Sequence, residues 1–120
     1  MYLKDNENTV TITKQVIHHG QGLIRRKAFF RDQSRLPIKI ELWELDPGVS
    51  EGEHAHFGEN ALEEIYFIQE GNGIVEIEGE KVAVVTGDCV LVPPGVHHGV
   101  TNSGETLLKI LIILDIVFLS

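Results

Sequence analysis

The chain contains the stretch GDCVLVPPGVHHGVTN at residues 87–102, and this stretch decides how we expect the chain to fold. Residues 89–92 are a short apolar run that favours a β-strand, and the Pro93-Pro94-Gly95 sequence after it favours a tight turn. A second β-prone run, residues 99–101, follows the adjacent His97 and His98. The stretch therefore predicts two short strands joined by a turn, with a pair of histidines where the second strand begins.

The same pattern of short strands and turns extends over the rest of the chain. Gly79-Glu80 lies between two alternating runs and predicts a tight hairpin with glycine first. No window of ten or more residues has a convincing helical period. Candidate strands recur about every 8–12 residues, which is typical of an all-β sandwich or barrel. The candidate strands are residues 9–13, 26–30, 38–45, 53–57, 64–69, 73–78, 81–86, 89–92, 99–101 and 107–117.

Composition and charge are those of one compact globular domain, residues 1–120. Ten basic and 18 acidic residues give a net charge of 10 − 18 = −8, which disfavours binding to nucleic acid or to anionic lipid. The single cysteine, Cys89, predicts a reducing, cytoplasmic setting, and we expect it to be a small buried hydrophobe. No signal peptide is expected at the N-terminus. The apolar residues 107–119 are too few to span a bilayer as a helix, which needs about 20 residues, so they predict a buried strand.

Four residues are candidate metal ligands. His54 and His56 are two apart on a predicted strand, so both rings project from one face. Glu64 begins the next strand, and His98 follows the proline turn. Each of these residues, taken alone, is equally well or better explained as an exposed polar side chain. Their spacing carries the argument for a shared site.

That spacing resembles the two signature motifs of the cupin superfamily, which the chain matches at about residues 48–71 and 87–102. In the first motif, Gly48 is followed by five residues and His54-Ala55-His56, and Glu64 by six residues and Gly71. In the second motif the positions are Gly87, Pro93, Gly95, His98 and Asn102. The resemblance implies an antiparallel double-stranded β-helix, also called a jelly-roll barrel. It also implies one divalent metal ion per chain, held by His54, His56, Glu64 and His98.

The chain departs from the family pattern between His56 and Glu64. Residues 57–63 fill this gap with seven positions, where the family usually has three or four. Glu59 and Glu63 are therefore alternatives to Glu64, but Glu64 has the family spacing to Gly71. Family spacing likewise selects His98 over His97. His18 and His19 are assigned no site and are expected to be solvated.

The implied ligands suit Fe, Mn, Ni or Zn, and the absence of a thiolate argues against a structural zinc site. We expect a metal-dependent enzyme acting on a small polar molecule, with dioxygenase-like chemistry slightly favoured over lyase or isomerase chemistry. The alternatives are a non-catalytic sensor or storage domain and a metal-stabilised structural homodimer. Tyr66 should point the same way as Glu64, and it is either a proton-transfer group or a core tyrosine. Residues 107–119 are apolar at both odd and even positions, so both faces of the predicted strand should be covered. One face packs inside the barrel, and we expect the other to contact a second copy in a homodimer.

Overall fold

The structure is a computed structural model that describes residues 1–54 and 62–115, and every helix or strand within them is a β-strand. The strands are β1 (Ile12–Gln15), β2 (Ile24–Phe29), β3 (Ile38–Leu45), β4 (Ser50–His54), β5 (Glu64–Glu70), β6 (Asn72–Ile77), β7 (Glu80–Val85), β8 (Cys89–Val92), β9 (His98–Thr101) and β10 (Leu108–Asp115). In this part of the chain no helix is long and apolar enough to cross a membrane.

The strands form two antiparallel sheets that enclose the core. One sheet has the order β1-β2-β3-β10-β5-β8, and the other has the order β4-β9-β6-β7. Side chains of β5 alternate between the core and the outside, so that Tyr66 and Ile68 are fully buried while Phe67 is exposed. Ile110 and Ile112 of β10 and Val100 of β9 are buried in the same cluster. The expected all-β, antiparallel jelly-roll barrel is confirmed.

Most strands form close to where the sequence predicts them, and two do not. The bounds of β3 and β8 match the prediction. The first predicted strand, residues 9–13, is displaced to Ile12–Gln15. The strand predicted at residues 53–57 already begins at Ser50 and is described as far as His54, while residues 55–57 lie outside the described part of the chain. The last predicted strand is observed as Leu108–Asp115, and its final two residues lie outside the described part of the chain.

The β6–β7 hairpin turns one residue earlier than predicted. Ile77 pairs with Glu80, so the two central residues are Glu78 and Gly79. Both have positive φ, 50° and 81°, which is the signature of a type I′ turn. The prediction of a turn with glycine first was wrong because Glu78, without a glycine's freedom, also adopts the left-handed conformation.

Three further side chains have definite surroundings. Trp43 lines the interior, where its Nε1 donates a hydrogen bond to Glu41 at 2.8 Å. Asn102 is buried and caps the turn after β9, since its Nδ2 donates to the carbonyls of Leu45 and Thr106 at 2.8 and 2.9 Å. Cys89 is exposed, so the expectation that it is buried was wrong. On the edge strand β8, Cys89 lies opposite the exposed Phe67 and therefore faces outward.

Candidate metal centre

Strand β5 brings Glu64 into the interior together with Tyr66. The two residues are two apart and both are buried, as strand alternation requires. The Tyr66 hydroxyl lies 3.0 Å from Glu64 Oε2 and 3.0 Å from Glu51 Oε1, so it bridges two carboxyl groups. Burial, followed by the charges of Glu51 and Glu64, raises the pKa of Tyr66 well above its usual value. The phenol is therefore a hydrogen-bond donor at neutral pH.

The proline turn before β9 orients His98. Gly95 has φ 78° at the third position of the turn, where a type II turn needs a residue with positive φ, and Val96 N donates to Pro93 O at 3.3 Å. The Nδ1 atom of His98 lies 2.9 Å from the Val96 carbonyl, which can only accept. Nδ1 therefore carries a proton that it donates to this carbonyl, and Nε2 points to Glu64 Oε2 at 2.7 Å.

The Glu64–His98 contact determines how both groups ionise. Burial alone would lower the pKa of His98, but the hydrogen bond and charge of Glu64 outweigh it and raise that pKa. Burial alone would raise the pKa of Glu64, but His98 outweighs it and lowers that pKa. The two side chains thus form a charged pair across the interior in the metal-free protein.

A β-bulge in β4 places Glu51 and His54 on the same side of the sheet. Glu51 pairs with Val100 and His54 pairs with His98, with a register shift between the two pairs. Two residues of β4 therefore stand opposite Gly99 alone. Without the bulge, residues three apart would face opposite ways. With it, the Glu51 side chain is 3% exposed and Glu51 Oε2 lies 3.7 Å from His54 Nε2.

The His54 ring is held as His98 is, with one nitrogen on a backbone carbonyl. Its Nδ1 lies 2.9 Å from Gly52 O, which leaves Nε2 directed inward. Burial lowers the pKa of His54 to about 4, so the imidazole is neutral at neutral pH. A neutral imidazole with the other nitrogen bonded to a carbonyl is the form in which histidine binds metals.

These side chains fit a divalent metal ion. His54, Glu64 and His98 each offer one ligand atom, and the three atoms lie within 4.8 Å of one another. They come from three strands and both sheets, so the fold and not a local loop holds them together. His56 lies outside the described residues, as do residues 57–61 of the insertion. Among the alternatives considered, Glu59 is also outside them, and His97 is about half exposed beside Glu53.

A family profile described as a cupin domain matches residues 41–114. The chain belongs to the cupin family.

Two curated relatives have sequences similar to this cupin. An oxalate-binding protein of Thermotoga maritima is 37% identical over 88 residues, which cover 73% of this chain and 68% of that protein. An uncharacterized protein of Methanocaldococcus jannaschii is 41% identical over 58 residues. That match covers 48% of this chain and 44% of the relative, so the chain spans less than half of its length.

Solved structures support the fold of this cupin. A predicted oxalate decarboxylase from Thermotoga maritima superposes with a TM-score of 0.86 at 24% identity, covering 94% of this chain and 98% of that one. The polyketide cyclase RemF from Streptomyces resistomycificus superposes with a TM-score of 0.83 at 15% identity, covering 97% and 80%. Identities this low establish the shared barrel and nothing more specific.

Sequence reasoning missed two side chains of this centre. Glu51 was overlooked because alternation from His54 assigns it to the opposite face, and the only hint of a bulge was Gly52 between them. His18 was expected to be solvated. It is exposed, but its ring stacks on that of His54, with centroids 3.5 Å apart and planes at 15°. No spacing motif connects these two histidines, which are brought together by tertiary packing.

The buried Glu51 predicts a pH-dependent stability in the metal-free cupin. Burial, followed by the charge of Glu64, raises the Glu51 pKa to about 8 from 4.5. Between these pH values the unfolded chain loses the Glu51 proton and the folded chain keeps it, so the free energy of unfolding falls as pH rises. Glu51→Gln cannot ionise and should gain stability relative to the wild type over that window. Urea titrations in chelator at several pH values measure this, and parallel curves for the two proteins would contradict it.

Adjacent histidines give a matched test of the ligand assignment. We expect His98→Ala to lose the ion held by His54, Glu64 and His98, because it removes a buried ligand. His97→Ala should retain the metal, because its ring lies at the surface. Elemental analysis after dialysis against a known ion measures both, with circular dichroism as the check on folding. Equal metal content in folded samples of the two variants would contradict the assignment.

Proposed function

We propose that this cupin binds a divalent ion on His54, His56, Glu64 and His98, and that it is a metal-dependent enzyme acting on a small polar organic molecule. The observation that carries the proposal is the convergence of three ligand atoms from the partly buried His54, the buried His98 and the buried Glu64. A site without thiolates and with few protein ligands suits a reacting metal better than a structural one.

The ligand set favours a substrate that carries a carboxylate or hydroxyl group. Three neutral imidazoles and one carboxylate leave a divalent ion with a net charge of about +1, which attracts anionic oxygen ligands. The bound ion would supply Lewis-acid polarisation of the substrate or, as Fe(II), activation of dioxygen. Similarity to a protein named for binding oxalate supports a small carboxylate as the ligand.

Tyr66 is the proton-transfer group that we propose beside the metal. Its hydroxyl is neutral, fully buried and within 3.0 Å of Glu64, so it can donate a proton or a hydrogen bond to a substrate oxygen next to that carboxylate. The alternative for Tyr66 is a core tyrosine whose hydroxyl is satisfied by Glu51 and Glu64.

For the reaction class, we place dioxygenase-like cleavage first, because the nitrogen-rich ligands suit Fe(II). A lyase or isomerase reaction comes second. The second candidate function is ligand binding without turnover, as a sensor or storage domain. It is favoured by the similarity to the oxalate-binding protein of Thermotoga maritima.

Elemental analysis and turnover on one sample distinguish these functions. The protein is purified without a metal-chelating tag and assayed for oxygen uptake and carbon dioxide release with small carboxylates, diketones, thiols and phenols. Iron with substrate-dependent oxygen uptake supports a dioxygenase. Manganese, nickel or zinc with product but without oxygen uptake supports a lyase or isomerase. Saturable binding without product supports the non-catalytic function, and a protein that retains no added divalent ion would contradict the proposal.

Once a substrate is known, Tyr66→Phe tests the proton-transfer role. We expect full metal content and a kcat lower by roughly 10²–10⁴-fold, the usual contribution of a general acid or base. Tyr2→Phe is the matched control, because Tyr2 is 86% exposed and should change nothing. Unchanged kcat in Tyr66→Phe would make Tyr66 a core residue.

We further propose a cytoplasmic location, which the single exposed cysteine supports and cell fractionation would check.

We also propose a homodimer. The outer face of β5, β8 and β10 carries adjacent apolar side chains, of which Phe67 is 38% and Leu91 is 55% exposed. Leu111 and Ile113 of β10 are half-buried on this face. A second copy would remove them from water. Light scattering at micromolar concentration should give twice the chain mass, and Phe67→Glu should give a monomer. A monomeric wild type would contradict the dimer.

A further inference from the structure

A short segment of the N-terminal region, residues 17–21, is clamped onto β4 beside the metal centre. Ile17 is buried in the core, and its carbonyl accepts a hydrogen bond from Gly52 N at 3.0 Å. The Gln21 carbonyl accepts from Ser50 N at 2.8 Å, and Gln21 N donates to the Ser50 hydroxyl at 2.9 Å. Three hydrogen bonds and an apolar anchor therefore fix this segment against the strand that carries Glu51 and His54.

Two glycines allow the close approach of the segment to β4. A Cβ on Gly52 would lie 1.8 Å from His18 O, and a Cβ on Gly20 would lie 2.0 Å from Ser50 O. Immediately before Gly20 the backbone turns through His18 and His19, whose φ values are 52° and 60°. Non-glycine residues with such φ values are strained and persist only where surrounding contacts hold them. The chain maintains this strained turn beside the centre.

The segment brings His18 to the side of His54 away from His98. The ligand atoms of His18, Glu51 and His54 lie within 4.8 Å of one another, which is a second group distinct from that of His54, Glu64 and His98. His54 belongs to both groups. The Tyr66 hydroxyl links their carboxylates, Glu51 on one side and Glu64 on the other, at 3.0 Å each.

We propose that His18, Glu51 and His54 form a second divalent-cation position beside the one in the proposed function. The proposal rests on the proposed function only in that both positions use His54.

The donor set of this position has a definite chemistry. Two imidazole nitrogens and one carboxylate suit Zn, Co, Ni or Fe rather than Ca or Mg. A cation there would stabilise the ionised form of the buried Glu51 side chain, which the low-dielectric interior next to Glu64 otherwise disfavours. His18 is exposed, so solvent water can reach this side and complete the coordination.

Sharing His54 makes the two positions unequal. Its Nδ1 is engaged by Gly52 O, so only Nε2 is offered, and one nitrogen binds one ion. When both positions are filled, one of them must replace His54 with water. We therefore expect two binding steps of different affinity, the second one weaker.

The test uses Co²⁺ as the probe, because its visible absorption reports nitrogen ligation. The metal-free full chain is titrated by calorimetry and absorption, with bound cobalt counted after dialysis. The wild type should bind two ions per chain, and His18→Asn should bind one. Asparagine tolerates the left-handed backbone, so this change removes the ring without disturbing the turn. His19→Asn is the matched control, because His19 also has a left-handed backbone conformation. This variant should bind two ions per chain.

Two further variants separate this proposal from the proposed function. Glu51→Gln should lose the second ion, as His18→Asn does. If Glu51→Gln fails to fold, His18→Asn still tests the second position, because His18 is exposed. His98→Ala should lose the first ion and keep one ion whose spectrum is that of the second step. A wild type that binds one ion, together with His18→Asn that binds one with unchanged affinity, would overturn the second position and leave the proposed function intact. A wild type that binds none would overturn both.

Discussion

The contact between Glu64 and His98 is the interaction on which the interior depends. It joins the two sheets, because Glu64 lies on β5 of the six-stranded sheet and His98 lies on β9 of the four-stranded sheet. A buried charged pair recovers its desolvation cost only when its geometry is good and its remaining polar atoms are hydrogen-bonded. Both conditions hold. His98 Nε2 lies 2.7 Å from Glu64 Oε2, His98 Nδ1 is hydrogen-bonded to the Val96 carbonyl, and the Tyr66 hydroxyl donates a hydrogen bond to Glu64.

The polar centre is surrounded by a tightly buried apolar core. Ile68, Val100, Ile110 and Ile112 have essentially no exposed area, and their burial offsets the cost of holding carboxyl and imidazole groups out of water. Glu51 is the least compensated of these groups, since burial and the nearby Glu64 both oppose its ionisation and raise its pKa to about 8. We therefore expect a cation bound at this centre to stabilise the folded chain, which links the fold thermodynamically to the proposed function.

Local rules predict an all-β fold with short strands, and the resemblance to the cupin motifs adds the jelly-roll barrel and the candidate ligands. Turn residues such as Gly95 delimit strands, and alternation correctly places Glu64, Tyr66 and Ile68 on one face. Two of the failures have one cause. The strand predicted to begin at residue 53 begins at Ser50, and it contains a bulge. The bulge reverses the alternation of side chains, so alternation counted from His54 assigns Glu51 to the wrong face. No local propensity encodes a bulge. His18 was missed for a different reason, because its position depends on packing between the 17–21 segment and a distant strand. Cys89 was predicted to be buried because most unpaired cysteines are, but it lies on the outward face of an edge strand.

The function proposed for this cupin depends on His54, Glu64 and His98 holding a divalent ion. The most direct measurement is an anomalous difference map from crystals of the zinc-loaded protein, collected on both sides of the zinc absorption edge. We expect an anomalous difference peak about 2.0–2.2 Å from His54 Nε2, His98 Nε2 and a Glu64 oxygen. A well-ordered interior with no peak in contact with these three residues, in crystals that contain zinc at another site, would contradict it.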